Sequence, residues 1–209
     1  MNRARAVLRY LALGDSYTIG EGIAPEGRWP RQLAERLQAL GVPLAEPRIL
    51  AQTGWTCAEL AAALDAAEPP GPWDLVSLLV GVNDQYRGHP LAQLGRDYAA
   101  LLERALALAG RRPARVLAVS IPDWGVTPFA RRELRSPARI ARELDACNAL
   151  EAKECAARGI AFADVTALSR AAGDAAGMLA EDGLHPSAAQ YARWTAALLP
   201  YAERALAAA

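Results

Sequence analysis

Five short apolar segments, separated by longer stretches with helical periodicity, most constrain what this chain can fold into. Apolar residues between the segments recur every three or four positions, which is typical of helices buried on one side. Strands that alternate with helices indicate a parallel sheet covered on both faces, because a parallel crossover needs a connection of helix length. The predicted strands are residues 7–13, 48–51, 75–80, 115–120 and 160–165.

Capping residues and prolines in the sequence predict where some of the helices begin or end. Ser136, directly before a proline, predicts the start of one helix. Ser187 with Gln190 three residues later is the pattern of a capping box and predicts a last helix. Pro200 should break or kink that helix, because proline lacks the backbone N–H that a helix interior needs. Residues 122–135 have no helical pattern, so we expect a long loop there.

The length and the charge balance of the chain limit the classes of protein to which it can belong. At 209 residues, of which 53% are apolar, the chain is predicted to form one globular domain over residues 1–209. Lys plus Arg and Asp plus Glu number 23 each. This balance argues against nucleic acid or a membrane surface as partner, because both usually require a basic face. No segment predicts stable membrane insertion, and the oligomeric state is left open.

The N-terminal residues do not have the pattern of a secretion signal. Arg3, Arg5 and Arg9 surround a short apolar run that lacks a small-residue cleavage site. The default expectation is therefore a cytoplasmic protein, while a secreted mature form stays open.

The three cysteines form no disulfide framework. Cys147 and Cys155 fall in one predicted helix, where a rise of about 1.5 Å per residue separates them by roughly 12 Å. That distance is too long for a disulfide. We expect these two cysteines and Cys57 to be small core residues rather than metal or redox groups.

The polar residues that offer chemistry follow the predicted strands. Gly14-Asp15-Ser16 follows the first strand, Gln52-Thr53-Gly54 the second and Gly81-Val82-Asn83-Asp84 the third. In an open parallel sheet, functional groups gather at the carboxyl ends of the strands. If the strand order is 2-1-3-4-5, as in a three-layer flavodoxin-like α/β/α sandwich, Ser16 lies between Gly54 and Asn83. A hydroxyl beside a backbone N–H and an amide donor suits acyl transfer with an oxyanion hole.

A serine nucleophile needs a base, and the chain has two histidines. His89 lies in a loop whose nearest carboxylate, Asp84, is distant, so we expect an exposed loop histidine. His185 follows Asp182 by three residues, and the ends of a four-residue turn lie within about 7 Å of each other. Asp182 can therefore accept from the imidazole N–H and leave the other ring nitrogen to face Ser16.

The spacing of the glycines near the N-terminus does not match other known glycine-rich motifs. Gly14, Gly20 and Gly22 match neither the phosphate-binding P-loop nor the dinucleotide-binding G-x-G-x-x-G pattern. The G-x-S-x-G nucleophile elbow is absent, because Gly14 directly precedes Asp15 and Ser16. No cluster of His, Cys and Asp has the spacing of a zinc site.

Together these motifs resemble the four sequence blocks of the SGNH hydrolases, the GDSL-type esterases and lipases. The resemblance implies that Ser16 is the nucleophile, His185 the base and Asp182 the residue that orients the base. It also implies an oxyanion hole formed by the N–H groups of Ser16 and Gly54 and by the side-chain amide of Asn83. The family fold is the flavodoxin-like sandwich, and its members need no metal or organic cofactor.

One residue departs from the family pattern. Tyr17 stands where the leucine of the GDSL block would be. Tyrosine at this position contributes no chemistry to the implied mechanism, but its bulk can alter packing beside the nucleophile.

The sequence constrains the substrate less than it constrains the fold or the site residues. The resemblance implies a small-molecule partner that carries a carboxylic ester or thioester, on a lipid, a sugar or a small acyl group. Trp55, Trp124 and Phe129 lie in predicted loops and are candidates for the substrate pocket; packing against the domain body is the alternative. An acyltransferase that uses the same residues stays open. So does a non-catalytic binding module, although Ser16, Asp182 and His185 are all present.

Overall fold

The computed structural model describes residues 6–67, 69 and 71–207. Its centre is a sheet of five parallel strands in the order β2-β1-β3-β4-β5. This confirms the predicted order and the parallel direction. The strands are β1 (Tyr10–Gly14), β2 (Arg48–Ala51), β3 (Leu75–Leu79), β4 (Val116–Val119) and β5 (Ala161–Ala163).

Helices cover both faces of this sheet and make the predicted three-layer sandwich. Helix α2 packs against α8 on one side, while α5 packs against α3 and α6 on the other. Four short 3-10 turns, Pro25–Gly27, Pro113–Arg115, Trp124–Val126 and Phe129–Arg132, lie in the connections. The helices are α1 (Ser16–Ile19), α2 (Trp29–Ala39), α3 (Cys57–Ala67), α4 (Val82–Tyr86), α5 (Leu91–Leu108), α6 (Pro137–Ala156), α7 (Thr166–Ala172) and α8 (Ala188–Ala207).

The central strands are apolar throughout because both of their faces are covered. Every residue of β1, β3 and β4 is buried, as expected of parallel strands between two helical layers. Ser77 on β3 is a buried polar exception, and it pairs with the Tyr10 hydroxyl at 2.9 Å. Strand β2 at the edge of the sheet is half-buried.

Most strands are shorter than the apolar segments predicted. The first segment was expected to begin at residue 7, but β1 begins at Tyr10, and Leu8 forms only an isolated bridge with Leu44. Strand β5 spans three residues, because only Leu117 to Val119 of β4 run beside it. Val80 after β3 and Ile160 before β5 are buried although they lie outside the strands, so the apolar segments there extend past the ladder.

The helix boundaries follow the sequence signals with one exception. Ser136 caps α6 by accepting the N–H of Arg139, and Ser187 Oγ accepts the N–H of Gln190 at 3.2 Å. The reciprocal half of the capping box is absent, since the Ser187 N–H donates to a loop carbonyl. Pro200 does not break α8, which continues to Ala207. Burial of residues on both sides of the proline offsets the roughly 3 kcal/mol that proline costs inside a helix.

Within the part of the chain that the structure describes, no helix has the length and apolar character that crossing a bilayer requires. All three cysteines are buried and free, as expected of small core residues.

Candidate active site

Ser16 lies at the carboxyl end of β1, at the first residue of α1. Gly14 ends β1, and a Cβ there would lie 2.2 Å from Oγ1 of Thr18 on α1 and 2.3 Å from the carbonyl oxygen of Leu79 on β3. Only glycine fits there. Asp15 then caps α1, since its Oδ1 accepts the backbone N–H of Tyr17 at 3.0 Å. These contacts explain the residues around Ser16, and they hold its backbone at the edge of the sheet.

Gly54 follows β2, the strand beside β1. Its φ of +87° lies in the region that favours glycine. The Gly54 carbonyl accepts a hydrogen bond from the Arg87 guanidinium at 2.6 Å. The Gly54 N–H makes no backbone hydrogen bond with another described residue, so it is available as a donor.

Asn83 lies in α4 directly after β3, on the other side of β1. Gly81, with a φ of +124°, makes the turn from the strand into this helix. The side-chain Nδ2 of Asn83 donates to the carbonyl oxygen of Trp55 at 2.8 Å. An amide nitrogen carries two hydrogens, so one remains to donate to another acceptor.

His185 and Asp182 form a close pair in the turn that precedes α8. Nδ1 of His185 lies 2.5 Å from Oδ2 of Asp182. Oδ1 of Asp182 accepts the backbone N–H groups of Leu184 at 2.8 Å and His185 at 3.0 Å. Partial burial alone would raise the pKa of Asp182, but these hydrogen bonds outweigh it and hold the pKa below its ordinary value. The ionised carboxylate accepts from Nδ1–H, which leaves the Nε2 lone pair free.

These residues meet at one cavity of about 170 Å³ at the carboxyl edge of the sheet. Ser16 and His185 are nearly buried, with 5% and 7% of their surface exposed. No hydrogen bond joins the Ser16 hydroxyl to His185 among the described residues, and catalytic hydrogen bonds are often long without substrate. The cavity is lined by Ser16, Tyr17, Thr53, Gly54, Val82, Asn83, Tyr86, Trp124, Phe129, Leu184 and His185.

Two of the three aromatic residues proposed for the pocket line this cavity. Trp124 and Phe129 do so, and they contact each other with ring centroids 6.1 Å apart. Trp55 does not line it. Its side chain packs against the hydrophobic core, and its contribution to the site is the carbonyl oxygen that holds Asn83.

Sequence reasoning missed Tyr86 as a lining residue. Its ring lies 5.5 Å from Trp124, edge to face, and its hydroxyl donates to Glu133 at 2.9 Å. Tyr86 lies three residues after Asn83, and residues at that spacing share one face of a helix. The short helix α4 was not predicted, so this spacing carried no signal.

His89 has a carboxylate partner after all, contrary to the sequence expectation. Its Nδ1 lies 3.2 Å from Oδ1 of Asp84. The separation was misjudged because Gly88, with a φ of +74°, turns the chain back onto the end of α4. His89 is absent from the lining of the Ser16 cavity, and it lines a different cavity of about 290 Å³ together with Arg135.

Buried carboxyl groups lie close to the site. Burial, together with the charge of the nearby Asp84, raises the pKa of Asp15 to about 8, although the hydrogen bond from the Tyr17 N–H opposes the rise. Burial also raises the pKa of Glu151 well above its ordinary value. Neither carboxyl oxygen of Glu151 is paired with another described residue. Asp15 is therefore predominantly protonated at neutral pH, and burial favours the neutral form of Glu151 as well.

The structure also bears on metal binding. Within residues 6–67, 69 and 71–207, no group of three or more His, Cys, Asp or Glu side chains is arranged to hold a metal ion.

The carboxyl edge of this parallel α/β sheet thus brings together a serine, a histidine paired with an aspartate, and amide donors. Over residues 12–193, the chain matches the sequence model of the GDSL-like lipase/acylhydrolase family. The chain belongs to this family, which confirms the resemblance seen in its motifs. It is therefore a hydrolase that acts on ester bonds. No curated protein sequence matched it.

Solved structures share the fold over nearly the whole chain. A crystal structure of TesA is 25% identical, with a TM-score of 0.75, and the match covers 95% of this chain and 99% of that one. Axe2, an acetylxylan esterase from Geobacillus stearothermophilus, is 19% identical with a TM-score of 0.70, covering 93% and 94%. A lipase/acylhydrolase from Enterococcus faecalis is 21% identical with a TM-score of 0.65, covering 92% and 94%.

Proposed function

We propose that this hydrolase cleaves carboxylic esters, or thioesters, through an acyl-enzyme formed on Ser16. The observation that carries the proposal is the convergence of four groups on one cavity: Ser16, Gly54, Asn83 and His185. They come from four separate parts of the chain, and each offers the chemistry that acyl transfer needs at that place.

In the first half of the reaction, Nε2 of His185 removes the proton from the Ser16 hydroxyl as Oγ attacks the ester carbonyl carbon. The negative charge that develops on the carbonyl oxygen accepts hydrogen bonds from the N–H groups of Ser16 and Gly54 and from Nδ2 of Asn83. When the tetrahedral intermediate collapses, the bond to the alcohol oxygen breaks. The imidazolium of His185 then protonates the departing alcohol.

In the second half, water replaces the alcohol. His185 removes a proton from the water, whose oxygen attacks the acyl carbon, and the same donors stabilise the second intermediate. Collapse breaks the bond to Ser16 Oγ, which recovers its proton from His185, and the carboxylic acid leaves. Asp182 fixes the ring and its tautomer throughout and stabilises the imidazolium.

A fluorophosphonate ester tests this proposal directly. We expect it to modify Ser16, as located by mass spectrometry of peptides, and to abolish hydrolysis of p-nitrophenyl acetate. Ser16→Ala should be neither modified nor active, while Ser136→Ala, which removes the cap of α6 outside the cavity, should still be modified at Ser16 and hydrolyse the ester. Modification of a different serine, with Ser16 intact and activity lost, would contradict the proposal.

Acyl transfer to an alcohol is the second candidate, since it uses the same acyl-enzyme and replaces water by another hydroxyl. Measuring the ester product in the presence of added acceptor alcohols separates the two reactions. We expect the carboxylic acid to remain the main product.

A further inference from the structure

Tyr17, the residue directly after Ser16, separates two cavities. Its side chain lines the Ser16 cavity and also a second, much smaller cavity of about 10 Å³ behind it. Trp124 and Leu184 line both cavities as well. Tyr17, Trp124 and Leu184, here called the partition, therefore form the boundary between them. Beyond the partition, the smaller cavity is bounded by residues that include Val126 and Leu179.

The Tyr17 side chain is held in place on several sides. Its ring packs against the His185 ring with centroids 5.5 Å apart and against Trp194 at 6.3 Å. Its backbone carbonyl accepts from the Tyr191 hydroxyl at 2.9 Å, and its N–H donates to Asp15. Only 3% of the residue is exposed. The cavity of about 10 Å³ behind the ring is too small to let it swing aside and admit a longer ligand.

The Ser16 cavity is small and mostly apolar in its lining. At about 170 Å³, it lies below the roughly 300–1,000 Å³ of pockets that hold drug-sized ligands. Aromatic and aliphatic side chains supply most of its wall, which suits a hydrocarbon group rather than a sugar ring. The acyl group stays attached to Ser16 after the alcohol leaves, so a cavity of limited volume beside the serine fits the acyl part.

We propose that Tyr17 sets the far end of the acyl site and restricts this enzyme to esters of short-chain acids. This inference rests on the proposed acyl-enzyme at Ser16 and adds the substrate class. Leucine, which the GDSL block has in place of Tyr17, is shorter than tyrosine and lacks the ring that forms this part of the partition. Replacement by leucine therefore opens the Ser16 cavity towards the space behind it.

The test is the acyl-chain profile of Tyr17→Leu, measured as kcat/KM on p-nitrophenyl esters from acetate to octanoate. The alcohol is constant in this series, so only the acyl part varies. Each additional methylene that gains burial is worth about four-fold. We expect the wild-type enzyme to prefer the shortest esters, and Tyr17→Leu to raise the octanoate-to-acetate ratio about ten-fold or more.

Tyr17→Phe is the matched control, because it keeps the ring and removes only the hydroxyl. No hydrogen bond contributes to the raised pKa of that hydroxyl, so the control should leave no described partner unpaired and should keep the wild-type profile. Active-site titration with the fluorophosphonate corrects each rate for the fraction of folded enzyme. Should Tyr17→Leu not fold, Leu184→Ala opens the partition at a half-buried residue and carries the same expectation.

An unchanged chain-length profile in both partition variants would overturn the inference, and so would a wild-type enzyme that prefers octanoate. Failure of the proposed acyl-enzyme function would give a different result, because Ser16→Ala would then still hydrolyse p-nitrophenyl acetate. If activity depends on Ser16 but both partition variants keep the wild-type chain-length profile, the proposed acyl-enzyme is retained. Only the proposed role of Tyr17 is then contradicted.

Discussion

Nδ1 of His185 lies 2.5 Å from Oδ2 of Asp182, and the second oxygen of this carboxylate accepts two backbone N–H groups of the same turn. The carboxylate is thus fixed by the turn before it meets the imidazole. This geometry allows one tautomer of His185, with the proton on Nδ1 and the Nε2 lone pair free.

The first prediction compares the two histidines. His185→Ala should lower kcat on p-nitrophenyl acetate about 10³-fold or more, because it removes the proposed base. His89→Ala is the matched control, since His89 also has a carboxylate partner but does not line the Ser16 cavity. It should keep kcat within a few-fold and lose about 1–3 kcal/mol of stability, because Asp84 then loses a buried partner. The reverse ranking of the two rates would contradict the assignment.

The second prediction concerns the oxyanion hole. Asn83→Ala should lower kcat about 10²–10³-fold with a much smaller change in KM, because the donor acts mainly on charge that develops in the transition state. The substitution also removes the bond to Trp55 that ties two loops together.

Arg87→Met controls for that structural effect, because Arg87 ties the same loops through Gly54 but does not line the cavity. It should lower kcat less than Asn83→Ala does. Equal losses in the two variants would indicate that Asn83 acts by tying the loops rather than by donating to the oxyanion.

The ends of the strands, and with them the positions of Ser16, Gly54 and Asn83, could be predicted because their signals are local, whereas the strand order was assumed from the common flavodoxin-like arrangement. A glycine or a small polar residue directly after an apolar run marks the carboxyl end of a strand, and parallel topology then brings those ends together. The short helices α1, α4 and α7 were missed because four to seven residues hold too few turns for a hydrophobic period to show. Because α4 was not predicted, no sequence pattern placed Tyr86 beside Trp124.

Features that depend on turn geometry or on packing in three dimensions also escaped prediction. The approach of His89 to Asp84 depends on a turn at Gly88, and the continuation of α8 through Pro200 depends on core packing rather than on local propensity. Trp55 was a pocket candidate because it lies in a predicted loop, but it does not line the cavity and packs on the core instead. In each case the tertiary environment decided the outcome.

The third prediction uses the buried carboxyl groups. The pKa of Asp15 is raised to about 8 in the folded protein, so the folded state binds a proton that the unfolded state releases above about pH 4. The stability that this group contributes is fully present below about pH 4 and is lost as the pH rises towards 8, by about 1.4 kcal/mol for each unit of pKa difference. Glu151 acts in the same direction.

Urea denaturation at pH 5 and pH 8.5 measures this effect. The free energy of unfolding of the wild type should fall over this interval by more than that of Asp15→Asn or Glu151→Gln. Asp182→Asn is the control, because the pKa of Asp182 is lowered and its contribution is lost only at more acidic pH. If Asp15→Asn loses as much stability as the wild type between the two pH values, Asp15 is ionised in the folded protein.

The last prediction separates the two roles of Trp124. Its indole N–H donates to Oε1 of Gln85 at 2.9 Å, and its ring is almost fully buried between Tyr86 and Phe129. The residue also lines the Ser16 cavity. Packing against the domain body and lining the pocket were alternatives in the sequence, but in the structure the residue is buried and also lines the cavity. We therefore expect a change here to affect both stability and substrate ranking.

Trp124→Phe is preferable to Trp124→Ala, since loss of the whole ring from a core costs about 3–5 kcal/mol and would obscure the substrate profile. We expect Trp124→Phe to lower the melting temperature, because it deletes the bond to Gln85 and leaves unfilled volume. It should also change the ranking of p-nitrophenyl esters by chain length rather than scale all rates together. Trp73→Phe is the matched control, since Trp73 is buried but lies outside the cavity; it should lower the melting temperature and keep the ranking. If both variants keep the wild-type ranking, Trp124 stabilises the fold without shaping the acyl site.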